Sequence, residues 1–337
     1  MIVNIILPLN TFDNTTGSLW GNAANPQNYA VSWQAVPATW ARVQWTNTAS
    51  SDAYYENNAN WSDEMAPSAT EQAHFDQLET YQVWWDASTV STAPEVGTFE
   101  VLQGGVTFLN KAADTQYLYI INGADAFADF SISGASTLVT ISGLHFKSLG
   151  GGQIVGGATL TLDGSHAQGS QLTMAGSTGF DVSGNLILNA GAILASTDGF
   201  IGYLSDSSGN ATVTGSGSAW NNSGSLYVGG TPTAVGGSGS LTIAESGLVD
   251  VGGTTKLWSS GSLTLAGGSL TTGSLDNDGT LRINSAGTLT VEGTASGAAT
   301  GEIIQTAIDS LVEFTGGGSM ANDMSVFGYS FGDDFTS

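Results

Sequence analysis

One short phrase recurs through the second two thirds of this chain and constrains its fold more than any other feature. It reads glycine, small polar, apolar, variable, apolar, and it begins at Gly184, Gly224, Gly239, Gly261 and Gly279. Its apolar pairs are Leu186 with Leu188, Leu226 with Val228, Leu241 with Ile243, Leu263 with Leu265, and Leu281 with Ile283. Alternate positions on an extended chain point the same way, so each phrase is a short strand with one buried face. Several are followed within a few residues by a second apolar strand, at 193–194, 248–251 and 289–291.

The phrases start 40, 15, 22 and 18 residues apart, and the first interval reads as two turns of 20. Short strands returning about every 20 residues, with glycine at the bends, predict the coils of a parallel β-solenoid. No single coil buries its own apolar face; stacked coils share one interior column. Residues 98–315 then make roughly ten or eleven coils, a rod on the order of 50 Å long at ~4.8 Å per strand. Helices are excluded after residue 97, because apolar residues never recur at i, i+3, i+4 and each interior glycine would cost a helix about 1 kcal/mol. A β-sandwich is the rival, but it requires longer strands and turns that do not repeat one phrase.

Composition divides the chain near residue 97. Of 47 glycines only Gly17 and Gly21 precede Gly97, whereas seven of nine tryptophans and five of six prolines do. Residues 1–97 therefore read as an aromatic-rich region leading into the first coils, 98–315 as the β-helix, and 316–337 as a C-terminal tail. Two readings of the first region stay open. Its tryptophans cover the open end of the column, as terminal repeats of solenoids must, or they form an interaction module such as a sugar-binding face carrying Trp61 and Trp84.

Charge narrows the partners. The net charge of -24 arises from 29 acids against only five basic residues, Arg42, Lys111, Lys147, Lys256 and Arg282. Five scattered cations cannot neutralise a phosphate backbone or hold an anionic membrane surface, so nucleic acid is excluded as a partner. No run approaches the ~18 apolar residues of a membrane span. With no cysteine, disulfides, thiolate metal sites and thiol nucleophiles are absent together. The apolar start, residues 1–9, lacks a basic n-region and is short for a signal peptide.

The repeat also carries a resemblance. Residues 209–230, with Ala219, Trp220 and Tyr227, followed by 239–243 and 249–253, are similar to the repeat shared by type V autotransporter passengers and exported PEP-CTERM-type proteins. The segment Asn60, Trp61, Ser62 with Pro67 and Phe75, leading to Val106 and Phe108, resembles the stretch that often opens such passengers. The resemblance implies a right-handed parallel β-helix, displayed on or released from the surface of a bacterium. The family's translocating barrel and sorting tail have no counterpart in this sequence, which leaves route and anchor open.

The residues do not assemble a catalytic set. Glycosidases place two carboxylates roughly 5–9.5 Å apart; Asp63 with Glu64 and Asp333 with Asp334 are sequence neighbours better explained as turn chemistry. Asp163, Asp181, Glu245, Asp250 and Glu292 form no periodic row. Lys256 and Arg282 read as solvated surface charges, and His74, His145 and His166 as lone histidines. Expected site residues are of two other kinds. Asp276 and Asp278, flanking Asn277, offer oxygens to a calcium ion, or form an ordinary Asp/Asn turn. Ile2, Val3, Ile5 and Ile6, with Phe327, Tyr329 and Phe331, are candidates for self-association, because an uncharged strand edge recruits another chain. The expected function is a non-enzymatic extracellular rod, a fibre subunit or adhesin, with copies of itself or surface glycans as partners.

Overall fold

The structure is a computed structural model. It describes residues 41–47, 54–55, 57–68, 71–85, 95–110, 118–121, 130–142, 144–148, 152–163, 171–174, 180–298, 300–316, 319–320, 323–326, 329–331 and 335–336. The chain divides into residues 1–38 and 39–337, and every described residue belongs to the second unit. The first-strand candidates Ile2, Val3, Ile5 and Ile6, and also Phe327, lie outside the described residues.

Among the described residues the unit is all-β apart from one 3-10 turn at Asn58–Asn60. From Glu71–Phe75 onward the strands take three faces in strict rotation. Face A opens with Glu71–Phe75, Thr98–Val101 and Phe130–Ser133; face B with Thr80–Trp85, Gly105–Asn110 and Leu138–Ser142; face C with Glu95–Val96, Leu118–Ile121 and His145–Ser148. Each strand pairs in parallel with the strand of its own face one turn later. This topology fits a parallel β-helix with three strands per turn. Two long strands, Leu248–Leu257 and Ser269–Asn277, run around the corner from face C to face A with a register shift between Val251 and Thr254. They join those two faces into one hydrogen-bonded sheet.

Coil length differs from the expected 20. On face B, Leu263 pairs with Leu281, eighteen residues on, whereas Val106 pairs with Val139, thirty-three residues on. Between residues 98 and 315 the described face-B strands number nine, not ten or eleven. Only the strands have to stack, so corner loops absorb extra residues without disturbing register. The phrase is not tied to one face either. Four copies lie on face B, but the one beginning at Gly224 supplies Leu226–Val228 on face A. Any strand with one buried side satisfies the same five-residue pattern. The following apolar strands, Ile193–Ser196, the start of Leu248–Leu257, and Thr288–Val291, all lie on face C.

The alternating apolar residues line the interior. Val106, Leu160, Leu186, Leu241, Leu263 and Leu281 form one inward column of face B and are fully or almost fully buried. Each such leucine contributes about 1.5–3 kcal/mol over leaving it exposed. The corner between faces C and A requires glycine. A Cβ added to Gly273 would lie 2.5 Å from the Gly252 carbonyl oxygen, and one on Gly293 2.5 Å from that of Gly273. Backbone stacks directly on backbone there, coil after coil.

Pairing runs straight through the change of composition at residue 97: Gln72 stands opposite Thr98, and Trp84 lies in a face-B strand opposite Leu109. The early aromatics lie inside. Trp45 and Trp61 meet edge to face at 5.1 Å, Tyr55 packs on Trp61 at 4.9 Å, and Phe75 touches both tryptophans. Phe99 and Phe130 carry the column onward, stacked 5.4 Å apart. Trp61, for which a sugar-binding face was one of two readings, is only 2% exposed and donates its ring N–H to the Tyr55 carbonyl at 2.8 Å. The large apolar ring contributes more inside a column than on its surface. At the other end, face B continues beyond residue 315 with Asp323–Val326. Tyr329–Phe331 then pairs with it antiparallel, which ends the parallel ladder.

Candidate functional site

Where one residue of a strand points in, the next points out. On face A the outward residue between the two buried columns forms a single ladder in direct register. It runs Gln44, His74, Glu100, Ser131, Gln153, Asp181, Phe200, Tyr227, Lys256, Asp276, Ser296. Most of the polar chemistry scattered through the sequence converges on this one line.

Its N-terminal stretch is ionic. His74 is 1% exposed; its Nδ1 lies 2.9 Å from Glu100 Oε2 and its Nε2 3.3 Å from Asp76 Oδ2. Each ring nitrogen thus faces one carboxylate. Arg42 reaches Glu100 at 3.4 Å and donates to Gln72 at 3.1 Å, while Gln44 donates to Asp76 at 2.5 Å. His74 is therefore a partnered residue, not a lone one. Asp76, two residues along the chain, could have signalled this; Glu100 is brought in only by register.

The middle holds a buried carboxyl. Asp181 lies between Gln153 and Phe200, and burial pushes its pKa up to about 6 against hydrogen bonds from the Ser183 hydroxyl and the Tyr203 backbone N–H. The Ser183 hydroxyl lies 3.0 Å from one carboxyl oxygen and 3.1 Å from the other. Beyond it Phe200 stacks on Tyr227 at 5.3 Å, and Tyr203 abuts Phe200 edge-on.

The C-terminal stretch is a clamp. Lys256 Nζ donates to Asp276 at 2.6 Å and to Asp278 at 2.5 Å, and lies 4.6 Å above the Trp258 ring. Burial by itself would lower the Lys256 pKa, but the hydrogen bonds to both aspartates outweigh it and hold the ammonium above its ordinary value. For Asp278 burial would raise the pKa; hydrogen bonds from Lys256 and the Ala298 N–H hold it below the usual range. The two calcium candidates do converge, around an ammonium that a metal ion would have to displace. Lys256, expected as solvated, is 12% exposed in its side chain. Among the described residues no three His, Cys, Asp or Glu side chains gather for a metal ion.

The other acids do not align. Asp163 ends a face-B strand, Asp250 lies on face C, and Glu245 and Glu292 stand at bends. Asp181 and Glu100 share the ladder but are three strand spacings apart, about 14 Å, wider than the roughly 5–9.5 Å of a glycosidase pair. Arg282 is exposed on face B, while His166 lies outside the described residues. Tyr329 and Phe331 belong to the closing antiparallel strand. No family model, curated protein or solved structure matches this chain.

Proposed function

We propose that this chain is a non-enzymatic structural protein of a bacterial surface, a right-handed β-helical rod that joins end to end with copies of itself. The observation that carries this reading is the parallel register, which continues coil after coil on all three faces around a closed apolar column. Such a column resists bending because its interior strands are hydrogen-bonded on both sides, which suits a spacer. The likeness of its repeat to autotransporter passengers favours display outside the cell. Electron microscopy of material purified from its native surface tests the proposal, together with protease shaving of intact cells. Rods joined lengthwise and removed by shaving support it; short monodisperse particles retained inside the cell overturn it.

A second reading, glycan binding, is favoured by the partly exposed Tyr203, Tyr227 and Trp258 beside the ladder, rather than by the N-terminal tryptophans. Binding on a glycan array that is lost in Tyr227→Ala and kept in a face-B variant supports it. Absence of binding to any glycan removes it.

A further inference from the structure

The middle of face B is as uniform on its outer side as the face-A ladder is varied. Over seven consecutive coils its central outward position is Thr107, Thr140, Thr161, Ile187, Thr212, Thr242 and Thr264, with Gln82 before this run and Arg282 and Ile304 after it. Each is half-buried by its neighbours. A β-branched side chain packed this way keeps few χ1 choices, so methyl and hydroxyl recur at fixed positions. None of the six hydroxyls hydrogen-bonds to another described residue. The neighbouring column is held in line: Asn185 donates to the Thr159 hydroxyl at 3.3 Å and Asn210 to Asn185 at 3.2 Å.

Charge is missing here. From Asn185 to Ala266 every outward residue of the face-B strands is Ser, Thr, Asn, Ala or Ile, in a protein whose net charge is -24. The pairing is free of bulges through these coils. The result is a flat neutral array with two repeats, about 4.8 Å along the stack and about 6.6 Å along each strand. Its central threonine hydroxyls, without a partner among the described residues, are open to hydrogen bonds from water.

We propose that this face binds ice. Ordered water rows at those two intervals run close to the oxygen rows of an ice crystal, and hydroxyls that both donate and accept join such a lattice without any charge. Other occupants fit less well. Sugar-stacking rings are absent from this stretch of the face; the partly exposed Tyr203, Tyr227 and Trp258 belong to the face-A ladder and its flanks. A charged polymer finds counter-charge only at the two borders of the stretch, where Asp163 and Arg282 lie. A second copy would cover on the order of 400 Å², short of the ~800 Å² per partner of a standard stable interface. The inference goes beyond the structural role proposed above and does not depend on it.

Ice grown slowly from a dilute solution of the purified chain is the test. Wild type should concentrate in the ice, with at least tenfold less of a bulky face-B variant, Thr212→Tyr with Thr242→Tyr. Thr290→Tyr, an outward position of face C, should partition as wild type does. Thr212→Val with Thr242→Val keeps the shape and removes two hydroxyls; with an unchanged thermal melt its partition should also fall. Wild type left in the liquid overturns the proposal, and so does a face-B tyrosine variant that enters ice as wild type does. Retention on crystalline cellulose without ice partition, or a dimer abolished by the face-B variant, assigns the face to another partner and equally overturns it.

Discussion

Trp220 fills the space that Gly199 leaves empty. A Cβ added to Gly199 would lie 2.8 Å from Trp220 Cζ2, and equally close to Asn222 Oδ1 and Leu226 Cδ1. The indole is fully buried and donates to the Ser196 hydroxyl at 3.1 Å, which itself donates to Asn222 at 2.7 Å. A residue with no side chain on face A thus accommodates the largest one on face C.

Gly199→Ala should therefore overpack the column and destabilise it by about 1–3 kcal/mol. Trp220→Ala should cost about 3–5 kcal/mol through the cavity it opens. Urea unfolding followed by fluorescence or circular dichroism measures both. A glycine replacement that leaves the midpoint unchanged would show that the coil yields there.

Asp181 predicts an unusual pH dependence. Burial raises its pKa from an ordinary 3.8 to about 6, so the folded chain holds this proton more tightly than the unfolded one. Stability from this group is complete below about 4 and is lost as pH rises toward about 6, a difference on the order of 3 kcal/mol. Asp181→Asn should melt higher than wild type at pH 7 and no higher at pH 4. Equal shifts at both pH values would mean that charge is not the cause.

The Lys256 clamp titrates in the opposite sense at its acid end. Asp278 is held below its ordinary pKa, so its contribution is present above the usual carboxylate range and fades as pH falls through the lowered value. Lys256→Met leaves two carboxylates, two residues apart in one coil, without the cation between them. It should cost about 1–2 kcal/mol, a figure reduced for the partial exposure of Asp276. Thermal melts of the variant at neutral and acid pH check this: the deficit should shrink in acid, as protonation relieves the repulsion.

Trp61→Ala should act on structure rather than on recognition. Removing a buried indole costs about 3–5 kcal/mol, and in a stacked architecture the loss stays near the altered coil. Hydrogen exchange should accelerate in Glu71–Phe75 while Gly261–Ala266 keeps its protection. Unchanged exchange at the N-terminal strands would show that the ring is not part of the column.

Much of the fold was legible from spacing. Leu263 and Leu265, two apart and preceded by Gly261, specify a strand with one buried side whatever surrounds it, and their repetition specifies stacking. Coil length was not legible, because the eighteen residues from Leu263 to Leu281 and the thirty-three from Val106 to Val139 differ only in loops that carry no periodic signal. The tryptophans left two readings open for a related reason. Trp61 has the same identity on a sugar-binding surface as in a column, and only its neighbours Trp45, Tyr55 and Phe75 decide between them.

Local physics alone settled which residues become strands and which of their sides is buried, since alternation and glycine bends act within a few residues. The grouping of His74 with Glu100, of Lys256 with Asp276 and Asp278, and of Thr212, Thr242 and Thr264 on face B was decided by tertiary register. A coil places residues 18 to 33 positions apart side by side. That offset depends on the length of every intervening loop, a quantity no short stretch of chain contains.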